Sequence, residues 1–223
     1  YKMVVGANAR MGWGGILGFG DETVFGSTAT TIDKFLEFNS ASFTKSVGGK
    51  VLKSLGTGRG AARRVTTQID VEGTINFNLH AVDGIKLLKH ALMGTVTSTA
   101  LSAPAYAHTF TAGNMGGISE QGITFHLRPS DTTDAFQIIG AKVNSFKISV
   151  EPGADAVTAE IAIIAKGMTA GTFITTGSVA FSPTRPFLPQ DVTISIDGAN
   201  EDIISLELIC PENELQNDSD ARS

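Results

Sequence analysis

The sequence predicts a single, mainly β domain with one flanking helix. Three features predict it: a seventeen-residue alternation from Arg64 to His80, a pair of long alternating segments around Glu151-Pro152-Gly153-Ala154-Asp155, and only one stretch at helical spacing. In the first, RVTTQIDVEGTINFNLH, one face takes Val65, Ile69, Val71, Ile75, Phe77 and Leu79 with Thr67 and Gly73. The other takes Arg64, Thr66, Gln68, Asp70, Glu72, Thr74, Asn76, Asn78 and His80. A period of two is that of a half-buried strand. At about 3.3 Å per residue the strand spans roughly 56 Å, where strands usually hold about 5 to 6 residues. It is therefore expected to run beyond the edge of its own domain.

The other elements follow in chain order. Residues 1–31, rich in Gly, Thr and Ala, are expected to form an extended arm with at most a short strand at the apolar island Ile16, Leu17 and Phe19. Phe35 to Phe43 supplies a strand, and Gly48 to Arg63 reads as a flexible glycine-rich loop carrying Lys50, Lys53, Arg59 and Arg63. A projecting hairpin of Phe35–Val47 against Arg64–His80, tipped by that loop, is the consequence. The helix is expected over Asp83 to Met93, with Asp83 as N-cap, Ile85, Leu88 and Leu92 on one stripe, and Gly94 just past its end. Lys89 and His90 suit its C-terminal dipole. Further strands are signalled at Ala105–Thr111, Gly122–Arg128, Ala135–Val150 and Ala156–Lys166, the last two forming a hairpin. Val192–Ile196 and Ile203–Cys210 make a final pair around Asp197-Gly198-Ala199-Asn200, and residues 211–223 form a polar tail. No repeat or low-complexity linker divides the chain, so 1–223 reads as one domain with arms.

Composition narrows the function classes. With 42% hydrophobic residues in 223, the chain has enough apolar material for a substantial core. A net charge of -5 argues against a general nucleic-acid footprint. Cys210 has no intrachain disulfide partner, and its apolar run IISLELIC marks it as a buried small hydrophobe. No apolar run of about 18 residues is present, so membrane insertion is not expected.

Sites for chemistry fail their tests of context. The glycine runs Gly12–Gly20 and Gly56–Gly60 lack the strand before and helix after that a phosphate cradle needs, and neither ends in Gly-Lys-Ser/Thr. His80, His90, His108 and His126 are too scattered for a zinc motif, although His80 and His126 could approach each other on a polar face. There is no Gly-x-Ser-x-Gly elbow, and the carboxylate pair Asp70 and Glu72 is explained by a solvated strand face. No enzyme activity and no cofactor are expected. The basic loop from Lys50 to Arg64 has no interleaved aromatics for base stacking, which favours a protein contact.

Several segments, in order, resemble the major tail tube proteins of long-tailed bacteriophages: GILGFGDETVFGSTAT, FLEFNSASF, Arg63-Arg64 at the start of the long strand, GIKLLKHALMG, YAHTFTAG and FQIIGAKVNSFKISVEPGADAVTAEIAIIAKG. The resemblance implies a β-sandwich, barrel-like where subunits join, flanked by one helix. It implies six-membered rings stacked into a hollow tube, with a long hairpin and terminal arms bridging subunits and rings. It places the chain in the virion tail, assembled in the host cytoplasm with tape measure, terminator and tip or baseplate proteins, and gives DNA a transient passage. On this basis Asp70, Glu72 and Glu160, at polar positions of long strands, are the expected lumen residues. Gly56, Arg59, Arg63, Arg64, Trp13 and Phe19 are the expected contacts between subunits or rings. Six copies at -5 would carry -30, a charge that repels phosphate. A carbohydrate-binding or adhesion β-sandwich is the alternative, for which one Trp and two Tyr make a poor aromatic platform.

Overall fold

Extended backbone forms thirteen strands among the described residues. The computed structural model describes residues 15–29, 31–52, 63–92, 94–102, 105–112, 122–129, 135–171, 179–181, 184–196, 199–201 and 206–210. In chain order these hold β1 (Ile16–Asp21), β2 (Lys34–Leu36), β3 (Phe38–Leu52), β4 (Arg63–Asn78), α1 (Lys86–Ala91), β5 (Thr95–Ser102) and β6 (Ala105–Thr111). They continue with β7 (Ile123–Arg128), β8 (Ala135–Val150), β9 (Thr158–Ala165), β10 (Gly167–Gly171), β11 (Ile194–Ile196), β12 (Ala199–Glu201) and β13 (Leu206–Cys210).

One bent strand joins two sheets. The first half of β8 pairs with β7 on one edge and β10 on the other, and β7 leads on to β1 and β2. Its second half pairs with β13 and with β9, and β9 leads on to β4 and β3. The bend falls at Gly140, whose φ of +63° suits a residue without a Cβ. There the Lys166 amide donates to both the Ile139 and Gly140 carbonyls, at 3.1 and 3.3 Å. Glu22 fixes the bend: its buried carboxylate accepts from the Gly140 amide (2.7 Å), the Gly26 amide (2.7 Å) and the Thr124 hydroxyl (2.8 Å). A buried carboxylate is tolerable because all three donors meet it. The sheet does not close into a barrel.

The two sheets face one another across the main core, and Ile16 and Phe35 form a second, smaller cluster. Phe125 of β7 lies 6.0 Å from the Phe19 ring and 6.4 Å from Phe43 of β3, while Phe77 meets Phe146 edge-on at 6.5 Å. Val71, Ile75, Phe77, Ile123, Phe125, Ile138 and Ile161 are all fully enclosed. Leu87 and Ala91 of α1 join this core, so the helix covers a flank as expected.

Four expectations change. The short strand allowed for in the N-terminal arm, Ile16–Asp21, is an inner strand between β2 and β7 and part of the body, because Ile16, Leu17 and Phe19 are all buried. The glycine-rich segment becomes strand as far as Leu52: Gly49 to Leu52 pair with Arg63 to Thr66, and the continuing β4 backbone overrides glycine's low strand preference. Residues 53–62 lie outside the described residues. The helix is shorter than Asp83–Met93, since Lys86, Leu87 and Leu88 first bond three residues back, to Asp83, Gly84 and Ile85, in a tight lead-in turn. Asp83 thus contributes its carbonyl and no side-chain cap. Finally, β13 pairs with β8 instead of with the Val192 segment, while β11 and β12 form a hairpin of their own. β5 went unread in the sequence; among the described residues it pairs with β6 alone, and both strands touch α1.

Candidate functional site

Partners across an antiparallel pair share a face, so the pairings of β8, β9, β4 and β3 can be followed as rungs. Successive rungs are Ser149–Thr158–Asn78, Lys147–Glu160–Asn76–Ser40, Ser145–Ala162–Thr74–Ser42 and Lys142–Ile164–Glu72–Thr44. Asp70 and Ser46 extend the same face on β4 and β3. The reverse of these strands is the core, with Ala159, Ile161 and Ile163 alternating against them. The result is a broad face mainly of short hydroxyl and amide side chains, interrupted by Ala162 and Ile164 and by charged residues. Asn76 donates to Ser40 Oγ at 3.2 Å and Asn39 donates to Asn78 Oδ1 at 2.9 Å, so neighbouring strands are tied side chain to side chain.

All three expected lumen acids lie on this one face, Glu72 and Glu160 exposed and Asp70 half-buried. Two lysines share it, which the sequence did not reveal. Lys142 and Lys147 are five residues apart, an odd interval that should set them on opposite faces. Between Val143 and Ser145, however, β8 advances two residues while β9 advances one, from Ile163 to Ala162. That bulge restores Lys147 to the face of Lys142, directly across from Glu160. Lys142 also sits 4.9 Å above the Phe25 ring.

At the margin of the face, β3 pairs with β4 alone among the described residues, leaving its outer edge open along fifteen residues. Such an edge accepts another strand. The expected contact residues divide. Arg63 and Arg64 sit in β4 opposite Leu52 and Val51. Phe19 is 1% exposed, packed between the sheets, so it is a core residue and not a surface contact. Trp13, Gly56 and Arg59 lie outside the described residues.

Elsewhere charges are settled in pairs. A cleft between α1 and the β5–β6 hairpin holds Asp21, Lys34, Lys86, Lys89, His90 and His108. Asp21 bonds Lys89 at 2.9 Å and His90 at 3.0 Å, and the His90 bond above all holds its carboxyl well below the usual range. Lys34 meets Asp33 at 2.8 Å and Lys86 meets Asp83 at 3.9 Å. His80 Nδ1 donates to the Thr184 carbonyl, whereas the His126 ring meets Gln137, so the two histidines have separate partners. Burial pushes His126 below its ordinary pKa. Among the described residues no three His, Cys, Asp or Glu side chains come close enough to hold a metal. No described helix is long and apolar enough to cross a membrane.

A rigid two-sheet body with a wide polar face and an open strand edge is the equipment of a structural β-protein. The phage tail tube protein family matches residues 12–208, and the chain belongs to that family. It is a tail tube component of a virion. Among solved structures it is similar to a chain of the sheath-tube complex of an extracellular contractile injection system, at 12% identity over 75% of this chain and 94% of that one, TM-score 0.44. It is also similar to the SPP1 tail tube, at 14% identity over 81% and 96%, TM-score 0.41. An Hcp protein matches at 11% identity over 70% and 96%, TM-score 0.33. No curated protein matches the sequence.

Proposed function

We propose that copies of this chain close into six-membered rings, that the rings stack into a hollow tube with the polar sheet face inward, and that phage DNA passes along it during ejection. The polar ladder with its open β3 edge carries this reading. Joining sheets between subunits would cover the edge, and Ser, Thr and Asn side chains would make up most of the wall of the bore. Asp70, Glu72 and Glu160 would face the lumen. With Lys142 and Lys147 beside them the face carries three carboxylates against two ammonium groups, a net -1 per copy. A ring would therefore present about -6 and not -30, repelling phosphate gently. Tape measure, terminator and tip or baseplate proteins would cap and fill the tube, with assembly in the host cytoplasm.

Electron microscopy of the concentrated, purified chain tests the assembly. Tubes of uniform bore with six-fold averages are expected; monodisperse monomers at every concentration would refute it. Particles carrying Asp70→Lys with Glu72→Lys should form intact tubes that eject DNA more slowly, and unchanged ejection would remove these residues from the lumen.

A further inference from the structure

The side of the body away from the polar face buries a cation. On β7, Ile123, Phe125 and Leu127 enter the main core, so Thr124, His126 and Arg128 alternate onto the opposite side of their sheet. Both sheets give their inner sides to that core, which sets the Arg128 side and the polar face of β8, β9, β4 and β3 on opposite surfaces. Arg128 is 5% exposed, and its Nε is enclosed without a hydrogen-bond partner. Among the described residues no ion pair reaches it.

Its surroundings are largely apolar. Ile16 stands opposite it on β1 and packs with Phe35, Ile32 and Val179. Phe181 meets Phe35 edge-on at 6.4 Å and remains 41% exposed. Polar groups on the same side are engaged elsewhere. His126 meets Gln137 at 3.2 Å, and burial pushes its pKa down, so the ring adds no charge at neutral pH. Glu22 is held by Gly26, Gly140 and Thr124, and Thr124 lies four residues before Arg128, about 13 Å back along the strand. A guanidinium cannot shed its proton as a buried lysine can. Enclosed and unpaired, it lowers the stability of the isolated chain, and a carboxylate gripped by both prongs is the group its fork fits best.

We propose that Arg128 anchors a docking site for an acidic segment of a second protein, whose Asp or Glu carboxylate takes the guanidinium while an apolar side chain beside it covers Phe181. An arginine in a desolvated setting with an aromatic at its rim is the composition of an interface hot spot. The choice of a protein other than this chain rests on the tube reading above: copies joined through sheet edges around a bore lined by the polar face leave the Arg128 side turned outward. DNA in the bore lies on the other side of the body.

The test begins with Arg128→Met in the purified chain, below the concentration at which it assembles. The variant should unfold at higher urea than the parent; a lower midpoint would show the arginine paired within its own chain and overturn the site. The Arg128 Nε–H resonance, identified by its loss in that variant, is then followed as acetyl-Leu-Glu-Leu-amide is added to the parent chain. Saturable shifts are expected, with binding about tenfold weaker when Gln replaces the peptide's Glu or when acetate is the probe. Phe181→Ser should bring the peptide down to the level of acetate. Acetate binding as tightly as the peptide would mark a bare anion site and overturn the docking reading, and no shift with any probe would overturn both. Arg128→Met should form tubes at the parent's concentration; a raised threshold would place the carboxylate on another copy and overturn the choice of partner. If the parent chain forms no tubes, the tube reading falls and that choice with it, while the peptide titration decides the carboxylate seat separately.

Discussion

The inner and outer halves of the β3–β4 ribbon are the same two strands in different company. Inward of Val71, β4 lies against β9, and Ile75 and Phe77 are fully enclosed. Outward of Asp70, Val47, Val65 and Ile69 stand 40% exposed or more. The alternating pattern is equally strong in both halves, so it specifies extended backbone without specifying what covers it. Stability belongs to the inner half, and the surplus apolar surface outside it is material for contacts.

Core truncation should break that contrast most severely. Phe77→Ala removes a ring packed edge-on against Phe146 and is expected to cost about 3 to 5 kcal/mol in urea denaturation. Ile69→Asp, eight residues away on the same strand, should stay within about 0.5 kcal/mol of the parent chain. Similar losses from both would mean that the outer half is part of the folding unit. Next comes the bend that joins the sheets. Glu22→Ala strands the Gly26 and Gly140 amides and the Thr124 hydroxyl, for an expected loss of about 3 kcal/mol. A near-neutral result would show that the shared strand β8 bends without that carboxylate.

Much of this was legible because period and turn chemistry are local. The β8–β9 hairpin, the length of β4 and the single covering helix follow from alternation, from a Pro-Gly turn and from one stripe at helical spacing. What escaped was non-local. GILGFG shows no alternation because β1 is buried on both faces, with Gly18 admitting Phe35 and Gly20 admitting the Thr31 backbone. The bulge on β8 is silent in sequence, yet it decides that Lys147 faces Glu160. A bulge between β3 and β4, where β4 advances three residues to two from the pair Val47–Ile69 to the pair Gly49–Thr66, likewise breaks an alternation that looks perfect on paper and sends Val65 to the far side of the ribbon.

A smaller effect separates the body from its helical flank. Asp21 on β1 anchors α1 through His90 and Lys89, and those bonds hold its carboxyl below the ordinary carboxylate range. With the folded value below the unfolded one, this stabilisation is complete above the ordinary range, about pH 4, and is lost as pH falls toward the folded value. The Asp21 side chain is 39% exposed, so solvent screening limits the contribution to at most about 1 kcal/mol. Asp21→Asn should therefore flatten the acid limb of stability against pH and leave the ribbon untouched. An unchanged acid limb would move that dependence to another carboxylate.

The smallest expected change tests the polar face itself. Lys147 and Glu160 are opposite each other on one rung, and an opposite-charge pair across strands contributes roughly 0.2 to 1 kcal/mol. Lys147→Glu and Glu160→Lys each place like charges on the rung and should lower the denaturation midpoint slightly, while the exchange of both should restore it. Recovery in the double variant would identify a pair that acts through its own rung. Its failure, with each single variant already at the parent midpoint, would mean that the two charges act independently, as on a wall that faces water. The singles differ in a second respect, because Lys147→Glu takes the face from -1 to -3 and Glu160→Lys takes it to +1. If this face lines the bore, DNA passage should slow in the second and not in the first, although both disturb the same rung by a similar amount. Equal passage in both would place the rung away from the DNA while leaving its role in the fold intact.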